Sequence, residues 1–326
     1  MFIVRLFEGF FQQYLKKVSL FFCFVKFFRM KKKTALRKGS AEENDEPDVK
    51  ESEVIDRFES NSSKIYVYKK ADKKKLFKKE KPEKKKRTRE ECEKQLILNS
   101  VMGSFYKINA PKPKKYKKGI EYDYKEGEVF ERFYVKNLSY FYYSRDVCNV
   151  LELLAEGLSR LHNTPVKEKW KREEKRKRDD IDLDRKDVAL VHGDLNPENI
   201  ICKRNEINLI DPSPRKLHSF YMDIAKFLHL LNFKVPLKFL SLKAHRQGKF
   251  YEDYFLRRYE SFLGSKVDRK KLNEYKLHFA KKQRKELKKG AENNHNFRKR
   301  VVMKMLNPLF FVLLNKKMRE MEERLK

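Results

Sequence analysis

Apolar positions recur along the chain in two different periods, and the change from one to the other divides it. Ile65-Tyr66-Val67-Tyr68 reads as a short strand. Glu90 to Leu98 reads as a helix, Asn109-Ala110-Pro111-Lys112-Pro113 breaks it, and Gly119 to Phe133 alternates as strand, turn and strand around Gly127. These pieces predict a small sheet with one helix. Further on, Leu151, Leu154, Leu158 and Leu161 fall at helical spacing and predict a core helix from Val147 to His162. Glu206 to Asp211 reads as a strand, and Phe220 to Leu231 as a buried helix with Ile224, Phe227, Leu228 and Leu231 on one side. The remainder is helical and basic. The order predicts an α+β chain with a small N-terminal sheet lobe, residues 60–135, and a larger, mainly helical lobe, residues 136–290.

Polar tracts mark the boundaries. Residues 1–30 are rich in Phe, Leu and Val, but Arg5, Glu8, Gln12 and Lys16 recur on one helical face, opposite Ile3, Phe7, Phe10 and Tyr14. That interruption excludes a spanning helix and leaves two readings: a helix lying in a membrane interface, or one packed on the protein's own core. A start at Met30 would remove the segment, and no small-residue cleavage site follows it. Residues 31–59 read as a flexible polar tether. The lysine-dense run from Lys69 to Lys86 reads as solvated, and the mixed-charge stretch 167–187 as an exposed insertion. Residues 291–326 form a basic amphipathic tail whose apolar block, Met305 to Leu314, is a second candidate for membrane contact.

Composition adds a bias. Of 326 residues 40% are hydrophobic, enough for a core, and 39% are charged, with a net charge of +33. Such a surface attracts polyanions: nucleic acid, anionic lipid or phosphorylated substrates. Cys23, Cys92, Cys148 and Cys202 form no C-x-x-C pair, which argues against a zinc site and against a disulfide framework. A reducing cytoplasm fits, either free or at the inner face of the cell membrane.

The chemistry concentrates between Val191 and Asp211. His192-Gly193-Asp194 follows an apolar strand, Asn199 comes five positions after Asp194, and Ile207-Asn208-Leu209-Ile210 ends on Asp211. Phosphoryl transfer needs this layout: one carboxylate to orient the incoming hydroxyl or take its proton, and a carboxamide plus a second carboxylate to hold magnesium against triphosphate oxygens. Asn199 and Asp211 supply the hard oxygen donors that magnesium prefers.

Here the chain resembles the aminoglycoside phosphotransferase-like branch of the protein-kinase-like superfamily, whose catalytic loop reads H-G-D-x-x-x-x-N and precedes a strand ending in I-D. The resemblance implies a bilobal protein-kinase-like fold and the use of ATP and Mg2+. It implies Asp194 as the catalytic aspartate, Asn199 and Asp211 as magnesium ligands, and His192 and Asp223 as supports of the loop. Asn196 stands where protein kinases usually carry lysine, and Pro212-Ser213 where they carry Phe-Gly after the metal-binding aspartate. Both departures point toward kinases of small molecules, sugars or glycolipids such as lipopolysaccharide core sugars. The RIO-type atypical kinases stay as a rival.

The resemblance also calls for a phosphate-binding lysine and a glutamate partner in the N-terminal lobe. Lys69, at the end of the predicted strand, is the candidate, with Lys70 as its alternative; Glu93 is the candidate partner, with Glu90 and Glu91 as alternatives. The nucleotide-covering loop falls at Ser60-Asn61-Ser62-Ser63, where Ser62 and Ser63 would approach phosphate without any glycine. The adenine-gripping hinge falls at Tyr122 to Gly127, with Tyr124 within it. The expected partners are ATP, a hydroxyl-bearing small molecule, sugar or glycolipid, and an anionic membrane surface. A different class stays open: a kinase-like binding protein that holds nucleic acid through its lysine run.

Overall fold

The computed structural model describes residues 54–292, apart from 60–62, 71–72, 81–84, 104–106, 117–118, 139–141, 178–184, 204 and 239–241, and then residues 312–325 apart from 313 and 324. The aromatic N-terminal segment, the tether up to residue 53, and Ser62 lie outside the described residues.

The N-terminal part is an antiparallel sheet of five strands in the order β1-β2-β3-β6-β5. Strands β1 (Val54–Glu59), β2 (Ser63–Lys70) and β3 (Lys73–Glu80) form a meander. Two expectations are corrected here. The tether ends earlier than residue 59, because Val54-Ile55-Asp56-Arg57-Phe58-Glu59 pairs with β2. The lysine run is not simply solvated, because its central part is β3, in the middle of the sheet. Leu76 and Phe77 make that strand: Phe77 is 2% exposed and meets Tyr116 edge to face at 5.9 Å. The long lysine stems can lie along the sheet while their charges reach outward.

Helix α1 (Lys85–Met102) follows and buries Cys92, Leu98 and Met102. Two short strands, β4 (Ile108–Asn109) and β5 (Pro113–Tyr116), lead into β6 (Gly119–Asp123). The strand expected to run from Gly127 to Phe133 is only β7 (Glu128–Val129); from Phe130 the chain turns into α2 (Phe130–Lys136), burying Phe130 and Tyr134 one helical turn apart.

The larger part is built around α3 (Arg145–His162), capped by Ser144, whose Oγ accepts from Val147 N at 3.4 Å. Leu151, Leu154, Leu158 and Leu161 are fully buried on it, as the spacing predicted, and the helix packs on α7 (Leu242–Leu263). Between these lie α4 (Glu168–Lys177), β8 (Val188–Leu190), β9 (Ile200–Lys203), β10 (Glu206–Leu209), β11 (Leu217–Ser219), α5 (Tyr221–His229), a π turn at Leu230–Lys234, and α6 (Val235–Lys238). A second sheet has the order β4-β10-β9-β7, and the loop from His192 to Asn199 leads directly into its strand β9. The charged insertion is more than a solvated stretch, since α4 buries Trp170 and Glu174.

Helix α8 (Arg269–Glu292) receives a C-terminal helix over 314–323. Leu314, Met318 and Met321 of that helix pack with Phe233, Leu277 and Ala280. Most of the block expected at a membrane, Met305 to Leu314, lies outside the described residues; within it Val312 is exposed and Leu314 is fully buried. Among the described residues, no helix is long and apolar enough to cross a membrane.

Candidate active site

The loop between β8 and β9 is fixed by backbone geometry before any side chain acts. Gly193 has φ +78, and a side chain there would run into Ser213 Oγ. Asp211 also lies in the left-handed region, at φ +55, one of the few places where a short polar side chain tolerates it. Two cross-links stitch the loop to the β10 end: Ile210 N donates to Asn199 O at 3.0 Å, and Ser213 N donates to His192 O at 3.1 Å.

Asp223, 1% exposed on α5, is the anchor beneath. Its carboxylate accepts from His192 N at 2.6 Å and from Gly193 N at 2.7 Å. Burial alone would raise its pKa, but hydrogen bonding from His162, the nearby His162 and His192, and the Gly193 N–H hold it below the usual carboxylate value. The His192 ring is itself buried, which lowers its pKa and keeps it neutral, with Nε2 donating to Ile210 O at 3.1 Å. Asp223 thus holds the start of the loop, and the His192 ring ties that start to Ile210, just past β10.

In that loop Asp194 is a third exposed. Asn199 Nδ2 donates to its backbone oxygen at 2.9 Å and Asn196 Nδ2 to Oδ1 at 3.2 Å, while Lys226 of α5 forms an ion pair with Oδ1. With Nδ2 of Asn199 engaged, its Oδ1 is the atom left for a cation.

Across the cleft, Lys78 of β3 bridges two carboxylates: its Nζ is 2.6 Å from Glu91 Oε1 and 2.7 Å from Asp211 Oδ1. Burial works against the Lys78 charge, and Asp211 and Glu91 outweigh it, so its pKa is raised. Burial raises Glu91 to about 7, with Lys78 opposing. Asp211 would also rise with burial, yet Lys78 holds it below its ordinary value. A cavity of about 250 Å³ opens here, walled by Ile65, Leu76, Ile201 and Ile210 and floored by Lys78, Asn199 and Asp211.

The lysine and glutamate that meet in this cavity are therefore Lys78 and Glu91, not Lys69 and Glu93. Lys69 lies on the same face of the sheet as Lys78, but it pairs with Lys74 near the hairpin end while Lys78 pairs with Ile65. Four residues of strand, about 13 Å, separate those positions. Glu93 is two residues past Glu91, about 200° around the helix. It faces Arg89, at 3.3 Å, and Lys216, at 3.7 Å. Ser63 begins β2, paired with Glu80. Tyr124 lines the cavity at the strand end, and its N–H donates to Lys74 O at 3.2 Å.

Glu91, an alternative to Glu93 in the sequence, is the glutamate that the structure brings to the lysine. Two further residues were missed: Lys78 was hidden among identical neighbours, though Leu76-Phe77 flags the strand, and Lys94 shares with Gln95 the inward polar face of α1. Lys94 is fully buried and its Nζ donates to Arg215 O at 2.7 Å and Lys216 O at 3.1 Å, so α1 is tied to the segment after Asp211. Burial lowers its pKa to about 7, with Asp223 and Glu174 opposing.

No protein-family model matches the chain, and no curated protein matches it. Solved structures do. An amicoumacin kinase in complex with AMP-PNP and Ca2+ superposes at a TM-score of 0.55 with 12% identity, over 85% of this chain and 90% of that one. A Plasmodium vivax ethanolamine kinase superposes at 0.52 with 15% identity, over 81% and 83%. At these identities the likeness establishes the fold, which is the one expected from the catalytic-type loop.

Proposed function

We propose that this chain, having the bilobal fold of the aminoglycoside phosphotransferase-like kinases, transfers the γ-phosphoryl group of ATP to a hydroxyl of a small molecule. The observation that carries the reading is the convergence of Lys78, Glu91 and Asp211 on one cavity that also takes in Asn199, with Asp194 beside Asn199. Fold alone does not require these charges to meet, and a scaffold would gain nothing from burying them.

In this reading Lys78, positioned by Glu91, contacts the nucleotide phosphates, and the apolar walls at Ile65, Leu76 and Ile201 take the base. Among the described residues no group of three His, Cys, Asp or Glu could hold a metal by itself. Asn199 and Asp211 fit the part of a magnesium site that relies on triphosphate oxygens for its remaining donors. Magnesium bound there would neutralise charge on those oxygens. Asp194 orients the acceptor hydroxyl and takes its proton.

For the acceptor, the neighbours' amicoumacin and ethanolamine are small hydroxyl compounds, and Asn196 and Pro212-Ser213 depart from the protein-kinase pattern. We favour a sugar or glycolipid, approached along a surface whose net charge of +33 would draw the protein to anionic membrane. The test is thermal stability with AMP-PNP, with and without magnesium. Stabilisation that needs magnesium in the wild type and disappears in Asp211→Asn supports the reading; RNA binding with no nucleotide effect would replace it with the nucleic-acid scaffold.

A further inference from the structure

The loop from His192 to Ile201 contains no lysine or arginine, yet Asp194 is not left without a cation. Among the described residues one cation forms an ion pair with it, and it comes from a different element: Lys226 of α5. Lys226 lies three residues beyond Asp223, whose carboxylate holds the backbone N–H groups of His192 and Gly193. The same helix turn therefore sets the height of the loop and the position of the ammonium. Lys226 is 20% exposed, and its three N–H donors exceed the single Asp194 contact. Asn196, two positions after Asp194, also donates to Asp194 Oδ1 but brings no charge. Lys78 cannot serve here, because it is held at Asp211 on the other side of the cavity.

Phosphoryl transfer builds charge on the equatorial oxygens of the moving group, and cations fixed in advance near them stabilise that charge without reorganisation. We propose that Lys226 is a catalytic cation that contacts the γ-phosphoryl oxygens during transfer, so that two lysines from two lobes hold the phosphates at opposite ends. The inference rests on the phosphotransferase reading. In the step, the acceptor oxygen bonds to the γ-phosphorus as the bridging bond to the β-phosphate oxygen breaks. The bonding pair leaves with ADP, the hydroxyl proton passes to Asp194, and Lys226 keeps all its protons.

Aluminium fluoride with ADP and magnesium mimics the planar phosphoryl group, so the test needs no acceptor. The wild type is expected to be stabilised by ADP with magnesium and further by aluminium fluoride. Lys226→Met should keep the ADP effect and lose the added affinity by about tenfold or more, and Lys226→Arg should recover part of it. The role is overturned if Lys226→Met keeps the full increment, if it loses ADP stabilisation equally, or if the wild type responds to ADP but not to aluminium fluoride. A wild type that ignores ADP altogether overturns the phosphotransferase reading and Lys226 with it.

Discussion

The loop from His192 to Asp211 and the lysine run from Lys69 to Lys86 both deliver charge to one cleft, but by opposite means. In the loop, placement follows local spacing: Asp194 and Asn199 are set by one short loop and Asp211 by the β9–β10 hairpin, pinned by Asp223 and by the left-handed backbone at Gly193 and Asp211. In the lysine run, placement follows strand register. Of many chemically equal lysines, the sheet selects Lys78 because that position pairs with Ile65 at the cavity wall and reaches Glu91 and Asp211. A short-range pattern survives in sequence, whereas a choice made by register does not.

The comparison predicts unequal outcomes within the run. Lys78→Met is expected to lower kcat/KM for ATP by about 10²- to 10³-fold, as loss of a fixed electrostatic group does, while Lys69→Met stays within about twofold. Steady-state kinetics on the two variants decide it, and equal losses would mean that register selects nothing. On the loop side the largest effect should fall on stability. Asp223→Ala leaves two buried N–H groups and the His162 ring without their acceptor, at a cost of about 3–5 kcal/mol in urea unfolding.

This contrast also accounts for what could be read in advance. The leucines of α3, the α5 helix and the Asp194-Asn199-Asp211 set follow periodicity or fixed spacing, so they were legible. Strand β1 was masked by its acidic and basic residues and β3 by its lysines, because charge hides the strand alternation, and Glu91 could not be told from Glu90 and Glu93, because its selection depends on Lys78 and on Asp211 across the cleft. Lys94 was illegible for the same reason: its acceptors, Arg215 O and Lys216 O, lie more than a hundred residues on.

Lys94 gives the most specific effect, one read in pH. A lysine whose folded pKa is lowered binds fewer protons folded than unfolded, so stability rises with pH between the two values. With about 7 in the folded state, the penalty is full below pH 7 and is relieved as pH climbs toward the ordinary lysine value of about 10.4. Unfolding free energies across that window should rise for the wild type and flatten in Lys94→Met. A wild-type profile that falls over the same window would contradict the assignment.

The most direct measurement is transfer of labelled γ-phosphate from ATP to a panel of soluble sugars, amino alcohols, extracted glycolipids and a protein acceptor, with wild type and a folded Asp194→Ala variant side by side. The account predicts magnesium-dependent labelling of a small-molecule or glycolipid acceptor by the wild type, and a loss of about 10³-fold or more in Asp194→Ala. Labelling that persists in Asp194→Ala, or that goes only to protein, would contradict it.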